Sequence, residues 1–183
     1  NMPIEEELAE AEVDTEPSVS ILMPAYNEED VVEKAIKSSL NLDYSNLEVI
    51  FVDDGSTDDT LEKARKYSDR ENLKIIEHEE NQGKGEALNT GLENTESDYV
   101  IVQDADSKIH GDVIRKGANK LEADETAGAV MTSIRPLEAE TFVQKLQIIE
   151  YTLTNFYRNM MSFINILDMA PGAYSMYRTD HVK

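Results

Sequence analysis

Residues 47–64 read LEVIFVDDGSTDDTLEKA, and this stretch decides the fold. Residues 47–52 form an apolar run rich in β-branched and aromatic side chains, the composition of a strand. Two adjacent carboxylates follow, Asp53 and Asp54, then Gly55 and Ser56, and then a segment of helical spacing. The Ser56 hydroxyl is placed to cap that helix, with Asp59 closing a capping box. Two successive acids at a strand end exceed what one cap needs, which marks Asp53 as a candidate ligand-binding residue.

The same alternation extends in both directions. Residues 19–23, 73–76, 99–102 and 129–132 also read as strands, and residues 30–40, 84–93 and 113–121 as helices. Val32, Ala35, Ile36 and Leu40 share one face of the first of these helices, and Ala87, Leu88, Gly91 and Leu92 one face of the second. Repeated strand-helix alternation predicts an α/β domain, a mostly parallel sheet flanked by helices on both faces.

At 183 residues, 40% of them apolar, the chain has the size of one domain with a real core. It contains no cysteine, which excludes disulfides, thiolate metal sites and a cysteine nucleophile. No apolar run approaches the roughly 20 residues that span a bilayer, so the chain as it stands is expected to be soluble. The formal charge of −21 argues against nucleic acid as a partner. Residues 1–16 hold seven acids and no base, so residues 1–17 are expected to form a peripheral acidic arm and 18–183 the domain.

In open α/β sheets the ligand crevice lies at the carboxyl ends of the strands, and the polar motifs fall there. After the first strand comes Pro24-Ala25-Tyr26-Asn27-Glu28, in which Pro24 is expected to stop further pairing and Tyr26 offers a flat ring. After the third comes Asn81-Gln82-Gly83-Lys84-Gly85, a small loop entering a helix with one cation, suited to an anion but lacking Walker spacing. After the fourth comes Gln103-Asp104-Ala105-Asp106. An i, i+2 pair in extended chain would point both carboxylates to one side, where hard oxygens suit Mg2+ or Mn2+.

Taken in order, PAYNE at 24–28, VDDGS at 52–56, NQGKGEALN at 81–89 and QDADS at 103–107 resemble the signature of family 2 glycosyltransferases. QKLQIIEY at 144–151 and PGAYSMYR at 171–178 are similar to the processive members that build chitin-, hyaluronan-, cellulose- or poly-N-acetylglucosamine-like chains. The resemblance covers about residues 18–180. It implies a GT-A, Rossmann-like fold, a nucleotide-sugar donor usually carrying uridine diphosphate, a divalent metal (Mg2+ or Mn2+), inversion at the anomeric carbon, and a saccharide or lipid-linked acceptor. It leans toward N-acetylglucosamine or glucose as the sugar. Carried over by position, Tyr26 would lie on the base and Asp53 would contact the uracil. Glu28 and Asp54 would support the nucleotide pocket, and Lys84 would face the diphosphate. Asp104 would contact the ribose or the donor-sugar side of the metal site, and Asp106 would bind the metal directly. Pro171, Gly172 and Ala173 would line the donor-sugar and acceptor side.

The sequence departs from that family at its end. The family's acceptor-activating Glu-Asp pair and its Gln-x-x-Arg-Trp helix have no counterpart here, and after Arg178 only TDHVK remains. The general base is therefore expected to be missing from this polypeptide, which reads as a fragment that binds donor and transfers sugar poorly. A non-catalytic nucleotide-sugar-binding or regulatory module is the alternative, and another nucleotide-using α/β enzyme a third reading.

Between Phe142 and Leu167 apolar residues recur in alternating steps of four and three, which is a helical stripe. Ordinary core packing is its simplest reading, with self-association or a membrane-side contact as the others. The family resemblance favours the membrane side, with a longer native protein holding this domain on the cytoplasmic face.

Overall fold

The computed structural model describes residues 16–109, 111–131, 141–163 and 175–183. In chain order the elements are β1 (Val19–Ala25), α1 (Val32–Leu40), β2 (Leu47–Asp53), α2 (Thr60–Arg65), β3 (Leu73–Glu77) and α3 (Lys84–Glu93). They continue with β4 (Tyr99–Val102), α4 (Gly111–Ala123), β5 (Ala129–Met131), α5 (Phe142–Phe163), β6 (Ser175–Arg178) and α6 (Thr179–Val182). One six-stranded sheet has the order β3-β2-β1-β4-β6-β5. β1 pairs in parallel with both β2 and β4, and β2 with β3, while β6 runs antiparallel between β4 and β5.

The central strands are apolar at successive positions because helices cover both their faces. Ile21, Met23, Val49, Phe51 and Ile101 belong to a buried cluster with Val32 and Ile36 of α1 and Ile114 and Leu121 of α4. The intervening residues Leu22, Ile50, Val52 and Val100 turn to the other face and pack with Ala87 of α3. Gly91 lets α3 approach closely, since a Cβ there would stand 3.2 Å from Leu22 Cδ2.

Three expectations are corrected. Pro24 does not end the pairing of β1, which stays in register with β2 through Ala25↔Asp53. Leu22 accepts from Gln103 N at 2.9 Å, so alternate residues of β1 face β4, and Pro24 falls on that side just beyond the β4 pairing, not on the side that pairs with β2. Ser56 does not cap α2, which begins at Thr60 after Asp59. The Ser56 hydroxyl instead accepts from Asn27 N at 3.0 Å, and Thr60 N donates to Asp58 Oδ1 at 3.0 Å. Among the described residues the apolar stripe does not join the core either: neither buried cluster contains a residue of α5, whose Phe142, Val143, Leu153 and Phe156 are at least 63% exposed, while Leu167 lies outside the described residues.

β6 has no counterpart among the predicted strands, because residues 175–178 carry no alternation distinct from the motif around them. Thr132 and the segment Pro171-Gly172-Ala173 lie outside the described residues, as do residues 1–15. Glu16 and Pro17 are fastened to the domain, Glu16 Oε2 accepting from Ser45 N at 2.8 Å and Pro17 O from Tyr44 Oη at 2.7 Å. Among the described residues no helix is long and apolar enough to cross a membrane.

Candidate functional site

The carboxyl ends of β1, β2 and β4 and the start of α3 bring seven of the sequence-predicted residues to one edge of the sheet. Asp53 closes β2 and is 1% exposed. Its Oδ2 accepts from Ser56 N at 3.0 Å, whereas its Oδ1 is buried without any hydrogen-bond partner. A carboxylate oxygen can only accept, and leaving one buried and unmatched costs roughly 1–3 kcal/mol or more. A donor arriving from a ligand would satisfy it. Tyr26 follows Ala25, the register partner of Asp53, and is 44% exposed.

Asp54 has a different task. Its Oδ1 accepts from Gln82 N at 2.9 Å and pairs with His78 Nδ1 at 2.8 Å, and its Oδ2 accepts from Gly83 N at 2.8 Å. His78 Nε2 continues to Thr90 Oγ1 of α3 at 2.9 Å. One buried carboxylate thus pins the whole loop that carries Lys84. Burial favours its protonated form, but the Gln82 and Gly83 amides and His78 outweigh that and hold its pKa below the ordinary aspartate range.

A folded-state pKa below the unfolded one stabilises fully above the unfolded value, near ~4, and that contribution is lost as pH falls through the folded value. Asp54→Asn is therefore expected to lower stability at neutral pH by about 1–3 kcal/mol, with the gap from the parent narrowing below about pH 4. Urea midpoints across that range check this, and a gap independent of pH would contradict it.

Asp104 and Asp106 flank the buried Ala105 in a turn closed by Ser107 N donating to Asp104 O at 3.1 Å, not in the extended chain that the spacing suggested. Lys84 Nζ is ion-paired to Asp104 Oδ1, and Asp106 accepts from Ser107 Oγ at 2.8 Å while remaining exposed. Burial raises the pKa of Glu28, and the negative charges of Asp106, Asp104 and Asp58 raise it further. Four carboxylates, Glu28, Asp58, Asp104 and Asp106, therefore bear on one another here, and Lys84 is paired to one of them, Asp104. No group of three or more His, Cys, Asp or Glu poised to hold a metal occurs among the described residues. Two carboxylates completed by ligand oxygens and water are nonetheless a common donor set for Mg2+ or Mn2+, and the residues fit that use.

Three positioning residues escaped the sequence reading. Asn27 adopts φ +56 and accepts from Thr57 N at 2.8 Å, locking the β1 loop to the β2 loop. Gln103, fully buried, donates to Ser107 O at 2.9 Å and accepts from Ser39 Oγ at 2.8 Å, which anchors the acid pair to α1. His78 is the third. An Asn near a turn is a signal for positive φ, but nothing local marks the other two. A recess of about 580 Å³ at the opposite edge of the sheet includes Arg178. That guanidinium is engaged by the carbonyls of Ala127 and Leu121 and by Tyr99 Oη, so it offers no free anion site.

Residues 20–183 match the family described as Glycosyl transferase family 2. The chain belongs to glycosyl transferase family 2. Among relatives of this family, poly-beta-1,6-N-acetyl-D-glucosamine synthase of Staphylococcus aureus is 28% identical over 171 residues, covering 93% of this chain and 42% of the synthase. A mannosyltransferase from Pyrobaculum calidifontis, solved with GDP-Man and Mn2+, superposes with a TM-score of 0.67 at 26% identity, over 90% of this chain and 45% of that one. Staphylococcus aureus TarS, solved with UDP-GlcNAc, gives a TM-score of 0.58 at 27% identity over 68% of this chain and 37% of that one. The family 2 chain described here thus spans less than half the length of each of these proteins, and its sheet with flanking helices is a GT-A fold.

Proposed function

We propose that this chain binds a uridine diphosphate sugar, with N-acetylglucosamine as the favoured sugar, for inverting and divalent-metal-dependent transfer to a saccharide or lipid-linked acceptor. The observation that carries the reading is the buried, unpartnered Oδ1 of Asp53, whose register partner Ala25 is followed by the exposed Tyr26. A pyrimidine offers a flat face for the ring and an imide N–H for the carboxylate.

Each residue then has a distinct part. Tyr26 stacks on the base and Asp53 accepts its N–H. Asp54 does not touch the nucleotide: it holds the 78–83 loop so that Lys84 meets the diphosphate. Glu28 closes the pocket wall, its backbone N–H fixed to Thr60 Oγ1 at 2.7 Å. Asp104 and Asp106 would hold Mg2+ or Mn2+, which supplies Lewis-acid stabilisation of the negative charge on a departing diphosphate. Pro171, Gly172 and Ala173 are assigned to the donor-sugar and acceptor side on family position alone.

Calorimetric titration of UDP, GDP and their sugars, with Mn2+ and then with a chelator, tests the proposal. Binding of the uridine compounds only in the presence of metal is the expected result, and no binding with metal present would overturn it.

A further inference from the structure

We propose that α5 is a self-association surface, at which a second copy of this chain packs its own α5 in parallel as a two-stranded coiled coil. Three observations point there. The first is that Phe142, Leu146, Ile149, Leu153, Phe156 and Met160 recur at alternating steps of four and three, the 3.5-residue period of a coiled-coil seam. Each is between 47% and 75% exposed, and none packs in the core of its own domain. A 22-residue helix rich in β-branched and aromatic residues draws its stability from a packed face and not from propensity, so this face needs a partner.

The second observation is charge. The chain carries −21 overall, yet α5 contains Lys145 and Arg158 against the single acid Glu150. Two copies that repel each other elsewhere meet with less opposition at an element whose bases outnumber its acids.

The third is register. With Leu146, Leu153 and Met160 at one seam position and Phe142, Ile149 and Phe156 at the other, Lys145 and Glu150 flank the seam on opposite sides, five residues apart. In a parallel pair, that offset sets Lys145 of one copy against Glu150 of the other, twice by symmetry. Both side chains are exposed, and neither takes part in an ion pair among the described residues. An antiparallel pairing would set neither against an opposite charge, so the sequence selects the parallel arrangement.

Sedimentation equilibrium of the chain as it stands, across a concentration series, measures the self-association. Concentration-dependent growth in mass is expected. Ile149→Glu should leave a monomer with unchanged domain circular dichroism outside the α5 contribution. Lys145→Glu should weaken association by about tenfold or more, since it opposes like charges across the seam twice. The double variant Lys145→Glu/Glu150→Lys should restore it, a recovery that unspecific hydrophobic clumping would not give. A monomer at every concentration overturns the proposal, as does association indifferent to both charge variants. Monomeric chain that instead cosediments with neutral phosphatidylcholine vesicles also overturns it and assigns the face to a membrane surface.

Discussion

Asp106→Ala is expected to lower metal-dependent UDP affinity by on the order of 100-fold or more while leaving the thermal midpoint of the free protein nearly unchanged. The two halves of that expectation come from the same geometry. Asp106 is exposed, and its recorded side-chain bond is the one it accepts from the neighbouring Ser107, so little of the fold rests on it. In the proposed complex, however, it would be one of only two protein carboxylates on the metal, and loss of one leaves Asp104 alone, already paired to Lys84. Calorimetry with Mn2+ present, beside a melting curve of each protein, separates the outcomes. Unchanged UDP affinity would return the acid pair to the role of a solvated turn. A large drop in melting temperature would instead make Asp106 a structural residue.

Gly55→Ala should have the largest effect on the fold, a loss of about 3 kcal/mol or more. Gly55 sits at φ +70, where an L side chain is strained, and a Cβ there would stand 2.5 Å from Glu80 C and 2.6 Å from Asn81 N. Backbone atoms cannot rotate out of the way as a side-chain tip can, so the 80–83 loop must move. That loop is held by Asp54 through the Gln82 and Gly83 amides, and shifting it would break those bonds and carry Lys84 away from Asp104. The variant should therefore lose urea stability and donor affinity together. Gly83→Ala is the control: its backbone (φ +93, ψ +154) is also one that L side chains adopt only under strain, but nothing lies within 4 Å of the added Cβ, so only a strain of roughly 1–3 kcal/mol remains. Equal losses from the two variants would show that the close approach of the loop to Gly55 is not what the glycine serves.

The strands of the parallel sheet and the helices over them were legible in the sequence because their determinants are local. Successive apolar residues in 19–23, 47–52 and 99–102 need two covered faces, and the apolar spacing of α1 and α3 supplies the covers. The positions of Tyr26, Asp53, Lys84, Asp104 and Asp106 at one edge follow from the same pattern, since every parallel strand delivers its next residues to the same side of the sheet.

What only the tertiary structure decided concerns pairs of residues far apart in the chain, whose energies no single segment contains. Asp53 and Asp54 are adjacent and chemically identical, yet one leaves a buried oxygen without a partner and the other accepts three hydrogen bonds from residues 78–83. Ser56 had the local chemistry of a helix cap and was taken instead by Asn27, 29 residues away. β6 entered the sheet between β4 and β5, against the direction of the strands beside it, a placement that four residues of sequence could not announce. The stripe of α5 spelled out a helix with an apolar seam, because periodicity is a local property. That the seam faces outward, away from the core of its own domain, depends on which surfaces were already filled by α1, α3 and α4, and the folded chain alone holds that information.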